Sequence, residues 1–355
     1  MDANAIICPP VRQLESCPDF AKNAVNLASS GLGARAVFVT DEFFAPLARM
    51  LDDQPPRFIP DKYDDNGKWM DGWESRRKRS LGNDYAIIKL AAIGKLNGVD
   101  IDTSHFIGNY PAACKIEACL SDQDMPQDQV EWITLVPMMK LRAGIGEAAH
   151  HFIELQDQRC FSHIRLNIYP DGGIARLRVF GQPSLDYGDQ SLDDKRPNLI
   201  NLSASLNGAR IIGFSDAHFG DYTRLLAPGR GNDMGDGWET ARRRRPGNEW
   251  IIIALAAKGS ITEILLDTAF FKGNFPDRFS IEAADLSDYD PDLNDAIITS
   301  ALFWKPLMDQ HPLKADHIHH FSAVDHDLGA VTHIRLNIHP DGGVSRLKCY
   351  GTLAK

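Results

Sequence analysis

The sequence predicts an all-β protein made of two tandem jelly-roll β-sandwiches related by internal duplication. Three observations lead to this prediction. Short apolar runs bounded by Gly, Asn and Pro dominate the chain, long blocks of sequence recur in the same order, and helical periodicity is weak and brief. Many short strands with Gly-rich connections favour antiparallel sheets, and each repeated unit has the length of a jelly roll.

The duplication is clearest in two segments, Phe161 to Gly181 and Val331 to Gly351, which align without a gap at an offset of 170. Thirteen of these 21 positions are identical, where chance would give about one. Further blocks recur at offsets of 165 and 175, in the same order. We therefore predict an N-terminal arm, a first repeat, a polar linker and a second repeat, with the bounds 1–22, 23–182, 183–198 and 199–355.

The strands predicted in the first repeat are ARAVFVT, YAIIKLAA, GVDID, CKIEAC, WITLVPM and HIRLNIYP. In HIRLNI the polar residues His163, Arg165 and Asn167 alternate with Ile and Leu, as expected for a strand with one buried face. The turn residues Pro-Asp-Gly-Gly follow, and then the run IARLRVF. This pattern predicts that the two runs form a hairpin.

The composition excludes several functional classes. The 355 residues are 43% hydrophobic, enough for two cores, and the net charge of −10 disfavours a nucleic-acid partner. We expect a cytoplasmic protein with no membrane partner, because we find neither an export signal nor an apolar run of spanning length. Cys114 and Cys119 are predicted to be reduced, buried hydrophobes. Exposed sheet edges favour a homo-oligomer.

An acidic-aromatic-basic block occurs once in each repeat: DGWESRRKR from Asp71 and DGWETARRRR from Asp236. Guanidinium groups can bind a carboxylate or a ureido oxygen, although arginine runs are often only a solvated face. The arginines that match between the repeats are Arg77 and Arg79 in the first and Arg242 and Arg244 in the second. We expect the tryptophan of each block to anchor its loop in the core rather than to stack on a ligand.

Carboxylates in and near these blocks are the candidates for acid–base chemistry. Glu74 and Glu239 follow the tryptophans, where burial would raise their proton affinity and a salt bridge to the arginines would lower it. Asp102 and Asp267 end apolar strands at a predicted sheet rim, where they can serve a site or simply cap a turn.

Histidines raise the question of a metal. The pairs His150-His151 and His319-His320 correspond at an offset of 169, and alternation would point His317 and His319 the same way. A divalent metal at His317, His319 and His320 is one hypothesis, and hydrogen-bonded structural histidines are the favoured alternative. We expect no cofactor to be required.

Three blocks of the second repeat together resemble the allantoicase family. They are NDMGDGWETARRRRPGNEW (Asn232 to Trp250), DTAFFKGNFPD (Asp267 to Asp277) and HIRLNIHPDGG (His333 to Gly343). The first repeat adds GKWMDGWESRRKR and DTSHFIGNYP, so the resemblance extends over most of the chain. It implies jelly rolls of the discoidin, or galactose-binding-like, type. It also implies hydrolysis of the small ureide allantoate to ureidoglycolate and urea during purine degradation.

The residue types suggest how such a substrate would be handled. In the second repeat, Arg242, alone or with Arg244 or Lys272, would bind the carboxylate of allantoate, and Asn274 and Asp236 would bind its ureido arms. Glu239 would protonate the leaving nitrogen, and Asp267 or a nearby histidine would activate water. The matching residues of the first repeat are Asp71, Glu74, Arg77, Asp102 and Asn109.

Two other functions stay open at this point. Jelly rolls of this type often bind sugars or other ligands without chemistry, so the chain is alternatively a non-catalytic carbohydrate- or ligand-binding module. A degenerate scaffold, whose repeats serve only assembly, is a third possibility. The two repeats also differ: Ala241 stands where the first repeat has Arg76, and Phe270 where it has His105. The repeats therefore need not be equally active.

Overall fold

The computed structural model describes residues 18–22, 24–127, 129–144, 146–185, 196, 198–290 and 293–354. Within these ranges, the residues of the first repeat form one compact unit and those of the second repeat form another. Most of the predicted arm (1–22) and linker (183–198) lies outside the described residues. No helix in the described ranges is both long enough and apolar enough to cross a membrane.

The first repeat begins with a one-turn helix α1 (Asp19–Lys22) and continues almost entirely as strands. These are β1 (Val25–Asn26), β2 (Arg35–Val39), β3 (Tyr63–Asp64), β4 (Gly67–Lys68), β5 (Trp73–Glu74), β6 (Asp84–Asp102), β7 (Ala113–Cys119), β8 (Ile133–Lys140), β9 (His150–Glu154), β10 (Cys160–Tyr169), β11 (Gly173–Ile174) and β12 (Arg176–Pro183). Short 3-10 helices occupy Ser30–Leu32, Leu47–Leu51 and Gly146–Ala149.

Within its described residues, the second repeat has the same order of strands, without counterparts of β3 and β4. Its strands are β13 (Ile200–Asn201), β14 (Arg210–Phe214), β15 (Trp238–Glu239), β16 (Glu249–Asp267), β17 (Arg278–Ala284), β18 (Lys305–Pro312), β19 (Ile318–Phe321), β20 (Ala330–His339), β21 (Gly343–Val344) and β22 (Arg346–Leu353). Helix α2 (Asn294–Ser300) is added between β17 and β18, and 3-10 helices occupy Ser205–Asn207, Tyr222–Leu226 and Ala301–Phe303.

One long strand organises each repeat. The first half of β6 pairs with β2 and β10, and its second half pairs with β12 and β9. Register shifts opposite the middle of β6 let the strand pass from one layer of the sandwich to the other. The runs YAIIKLAA and GVDID, predicted as separate strands, are thus parts of one strand. In the second repeat, β16 likewise pairs with β14 and β20 along its first half and with β22 and β19 along its second half.

The predicted hairpin between HIRLNIYP and IARLRVF is wrong. β10 and β12 both pair with β6, one on each half, and β11 between them pairs with β5 instead. The Pro-Asp-Gly-Gly turn therefore connects the two layers rather than two neighbouring strands. Local turn residues predict a reversal of the chain, but they do not determine which strand the returning segment pairs with.

Each sandwich encloses its own hydrophobic core, which confirms the predicted all-β fold with two repeats. In the first repeat the buried side chains alternate along β6 and β10, for example Ile88 and Ile101 on the former and Ile164 and Leu166 on the latter. Cys114 and Cys119 are buried and unpaired, as predicted, and burial raises the pKa of their thiols to about 12 and about 11.

The two ends of each long strand lie at the same end of the sandwich. Asp84 at the start of β6 pairs with Ile168, and Asp102 at its end pairs with Arg176. The turn between β10 and β12 joins these two positions, and the Asp84 N–H donates to the Pro170 carbonyl at 3.0 Å. We call this end the rim. The repeated polar blocks converge there.

Candidate active site

The Asp-Gly-Trp-Glu block forms a short ladder with the Pro-Asp-Gly-Gly turn at the rim. Trp73 pairs with Ile174 and Glu74 with Gly173, and β15 pairs with β21 in the same way. A Cβ atom on Gly72 would lie 2.3 Å from the Ile174 carbonyl oxygen. This approach of two backbones explains why glycine precedes the tryptophan. Two blocks that are about a hundred residues apart in sequence thus form one structural unit.

The tryptophans anchor this unit, as predicted. Trp73 and Trp238 are both 0% exposed, and their indole N–H groups donate to the backbone carbonyls of Asp41 and Asp216, each at 2.8 Å. The carboxylates of the same aspartates accept the N–H of Arg76 (2.7 Å) and of Ala241 (2.6 Å). Each aspartate therefore fixes its block at two positions. Sequence analysis missed them, although they recur at the offset of 175.

A glutamate and an asparagine meet at the rim of each repeat. Asn109 Nδ2 donates to Glu74 Oε1 at 2.6 Å, and Asn274 Nδ2 donates to Glu239 Oε1 at 2.5 Å. Each asparagine is held in turn, because its backbone carbonyl accepts the N–H of the second glycine of the turn. The structure thus brings together two pairs of predicted site residues. No arginine is bonded to either glutamate among the described residues.

Burial changes the acidity of the first of these glutamates. Desolvation raises the pKa of Glu74, and the hydrogen bond from Asn109 lowers it by less, so the net shift is upward. Of the two alternatives left open by the sequence, the desolvated carboxyl describes Glu74 and the salt bridge does not. A carboxyl that keeps its proton to higher pH than an ordinary glutamate is suited to act as a general acid.

The raised pKa also makes a testable contribution to stability. Because the folded state binds this proton more tightly than the unfolded chain does, the contribution is fully present below the unfolded pKa. It is lost as the pH rises through the folded pKa. Glu74→Gln keeps an acceptor for Asn109 but does not titrate, so the variant should gain stability relative to the parent protein as the pH rises through the folded pKa.

Melting temperatures of both proteins, measured across this pH range, check the prediction. A stability difference that does not change with pH would contradict it.

Asp71 and Asp236 are bound by buried arginines. The Nη2 atom of Arg176 lies 3.0 Å from Asp71 Oδ2, and that of Arg346 lies 2.9 Å from Asp236 Oδ2. The same Oδ2 atoms also accept backbone N–H groups of the preceding loops, from Arg57 (2.8 Å) and from Asn232 (3.0 Å). Through these contacts each carboxylate ties the preceding loop to a buried arginine. The Asp71 and Asp236 carboxylates are therefore already paired within their own repeats.

In each basic run one half-buried cation, Lys78 or Arg243, lies between exposed neighbours. Lys78 binds Asp84 at 2.7 Å, Arg243 binds Glu249 at 2.6 Å, and the backbone N–H of each donates to the aspartate of the Pro-Asp-Gly-Gly turn. The flanking cations are exposed and have no hydrogen bond or ion pair within the described parts of the chain: Arg77, Arg79, Arg242 and Arg244, together with Lys272 on the neighbouring loop. These side chains are accessible to an anionic ligand.

Asp102 and Asp267 are buried, and both cap turns. In each, Oδ1 accepts the backbone N–H two residues later, from Ser104 or from Ala269, at 2.8 Å. Their second oxygens differ. Asp267 Oδ2 accepts from Arg230 Nε at 3.0 Å, whereas Asp102 Oδ2 has no hydrogen-bond partner among the described residues.

A buried charge cluster surrounds Asp102 in the first repeat. His150 Nδ1 lies 2.8 Å from Asp100 Oδ2, and Arg178 Nη1 lies 3.7 Å from the same oxygen. Burial lowers the pKa of His150, but the hydrogen bond to Asp100 and the charges of Asp100 and Asp102 outweigh it, so that the net shift is upward. The register places Leu265 and Ile318 at the positions of Asp100 and His150 in the second repeat, which therefore has no such cluster.

Two histidines of the metal hypothesis, His319 and His320, are engaged in hydrogen bonds. His319 is bonded at both ring nitrogens, to the Lys314 N–H (2.8 Å) and to the Leu266 carbonyl (3.2 Å), and His320 pairs with Glu263. His151 makes the equivalent two contacts in the first repeat, to the Arg142 N–H and the Ile101 carbonyl. His151 therefore corresponds to His319, at an offset of 168 and not 169. Within the described ranges, no group of three or more His, Cys, Asp or Glu side chains is arranged to hold a metal.

Comparison with known proteins gives consistent matches over nearly the whole chain. The family model described as "Allantoicase repeat" matches residues 25–184 and 200–354. A protein of Rhizobium meliloti named probable allantoicase is 54% identical over 341 residues, covering 96% of this chain and 97% of the relative. A Burkholderia pseudomallei protein named probable allantoicase 2 is 51% identical, with 96% and 98% covered.

A solved structure is similar along the same length. The crystal structure of allantoicase from Saccharomyces cerevisiae superimposes with a TM-score of 0.75 at 32% sequence identity. The alignment covers 92% of this chain and 93% of the yeast chain. The similarity thus includes both repeats.

Proposed function

The chain belongs to the allantoicase family, and from this membership we propose that it hydrolyses allantoate to ureidoglycolate and urea in purine degradation. One observation in the structure supports this proposal above the others. Each repeat presents at its rim a glutamate bonded to an asparagine amide, beside exposed cations. A proton donor, an amide-binding group and positive charge are what an anionic diureide requires.

The reaction replaces one substituent on the central carbon of the substrate. Allantoate carries a carboxylate and two ureido groups on a single CH carbon. The bond from this carbon to one ureido nitrogen breaks, that nitrogen takes up a proton, and urea leaves. The oxygen of water forms the new bond to the carbon and loses a proton, which gives ureidoglycolate. The protein must therefore supply a proton to the departing nitrogen and later accept one from water.

The glutamate of the rim performs both proton transfers in our proposal. Its protonated carboxyl donates to the leaving ureido nitrogen, and the resulting carboxylate accepts the proton of the attacking water, acid first and base second. Glu239 has this role in the second repeat and Glu74 holds the equivalent position in the first. The scheme then needs no separate base. Asp102 and Asp267 keep the buried contacts described above.

The asparagines orient the ureido group. In Asn274 one N–H of the side-chain amide donates to Glu239, which leaves the amide oxygen and the second N–H for the substrate. A ureido group presents the complementary N–H and C=O, so that two antiparallel hydrogen bonds can form. Asn109 is placed in the same way in the first repeat. The exposed cations Arg77, Arg242, Arg244 and Lys272 provide positive charge toward the carboxylate.

The purified protein should release urea from allantoate, and a colourimetric urea assay checks this directly. The assay is run with and without a chelator, because the sequence left a divalent metal open. A ligand-binding module or a scaffold of inactive repeats would release no urea above the rate without protein, and that result would contradict the proposal. Cytoplasmic location and self-association remain predictions from the sequence.

A further inference from the structure

An arginine of the second repeat is held at the rim by a buried carboxylate. Arg230 lies in the loop after the 3-10 helix Tyr222–Leu226, and its Nε donates to Asp267 Oδ2 at 3.0 Å. The Asp267 side chain is 3% exposed and that of Arg230 is 51% exposed. The Nη2 atom of Arg230 lies 3.7 Å from Asp316 Oδ1, and this is the only other ion pair of Arg230 among the described residues. Its remaining N–H groups are available to a ligand.

The loop of Arg230 is attached to the segments that form the glutamate–asparagine pair. The Asn232 N–H donates to Asp236 Oδ2, three residues before Glu239. Asp267 ends β16, and the segment that follows it carries Asn274. Arg230 therefore bridges the loop before Glu239 and the strand before Asn274. This arrangement holds its guanidinium at the same rim as the proposed general acid.

The first repeat has no counterpart of this arginine. The contact from Asn232 to Asp236 is matched by that from Arg57 to Asp71, and the helices Leu47–Leu51 and Tyr222–Leu226 correspond at the same offset of 175. This alignment puts Pro55 at the position of Arg230. Proline has no side-chain donor, and Asp102 Oδ2 has no hydrogen-bond partner among the described residues. The cations that face this oxygen are instead Arg178, at 3.9 Å, and His150, at 4.0 Å.

We propose that Arg230 binds the carboxylate of the substrate in the second repeat and that Asp267 is its positioning residue, an inference that rests on the proposed function. With Nε bound to Asp267, the two Nη groups can donate end-on to a carboxylate. Arg242 and Arg244 have no partner that fixes them, so they would lose more side-chain freedom on binding. Because Pro55 replaces the arginine, only the second repeat anchors the substrate in this way.

The test compares allantoate with its carboxamide, in which a neutral amide replaces the carboxylate. Arg230→Met should raise KM for allantoate about 10–100-fold, the range expected when a charge-assisted hydrogen-bonding partner is lost. The kinetics of the carboxamide should change little, so the preference for allantoate should largely disappear. Arg230→Lys, which keeps the charge and loses the fork, should fall between Arg230→Met and the parent protein. Asp267→Asn should raise KM by a smaller factor.

Arg159→Met is the matched control. Arg159 is also a half-exposed arginine held by an aspartate, Asp157, but it lies next to the middle of β6, at the end opposite the rim. An unchanged KM in Arg230→Met, or an equal loss for allantoate and carboxamide, would overturn the inference. If the parent protein itself releases no urea, the proposed function fails instead.

Discussion

Glu239→Gln should lower the rate of urea release about 10²–10⁴-fold, the usual contribution of a positioned general acid. Glutamine keeps the shape of the side chain and still accepts the hydrogen bond from Asn274 that Glu239 accepts now. Only the transferable proton is lost. The fall should therefore appear in kcat, with KM for allantoate nearly unchanged, and steady-state urea assays measure both.

Glu74→Gln should have a much smaller effect, because its repeat has Pro55 where the second has Arg230 to bind the substrate carboxylate. Glu282→Gln is the matched control within the second repeat. Glu282 also accepts from an asparagine, Asn337 at 3.1 Å, but it lies within β17 and pairs with Arg335 of β20, not within the β15–β21 ladder that carries Glu239. Turnover of Glu239→Gln close to that of Glu282→Gln would remove the acid from the mechanism. A large loss in Glu74→Gln alone would assign catalysis to the first repeat.

Arg176→Met should destabilise the first repeat by about 3–5 kcal/mol, the cost of removing one partner of a buried ion pair. Arg176 is 1% exposed and donates to three backbone carbonyls, of Gln54, Asp71 and Ala175, in addition to its ion pair with the Asp71 carboxylate. Methionine has a similar volume but no donor. The variant therefore leaves one buried carboxylate and three carbonyls without this partner.

Hydrogen exchange, read separately for peptides of each repeat, measures this loss, because a chain of two units need not unfold in one transition. Protection should fall around residues 71–74 and stay unchanged in the second repeat. Adding Asp71→Asn to Arg176→Met removes the unpaired charge and should restore part of the stability. Arg159→Met removes an exposed ion pair and should leave the hydrogen exchange of these peptides unchanged. Equal protection in Arg176→Met and Arg159→Met would contradict the prediction.

The sequence by itself determined which residues form strands, that the chain is duplicated and which polar blocks make the site. Alternation of apolar residues is a local property, and gapless repetition at a fixed offset is visible without coordinates. The repeated blocks also predicted, as site residues, the glutamates and asparagines that the structure brings to hydrogen-bond distance. The role of Trp73 and Trp238 as loop anchors was predictable because large aromatic side chains favour burial.

Only the tertiary structure decided which partner each charged group takes. Arg176 and Asp71 are 105 residues apart, and Arg230 and Asp267 are 37 apart, so no local pattern selects these pairs among the many arginines and aspartates. The same holds for the single β6 strand that crosses both layers and for the turn that was predicted as a hairpin. Pairing over such distances depends on the paths of several strands at once, and a run of residues specifies only its own conformation.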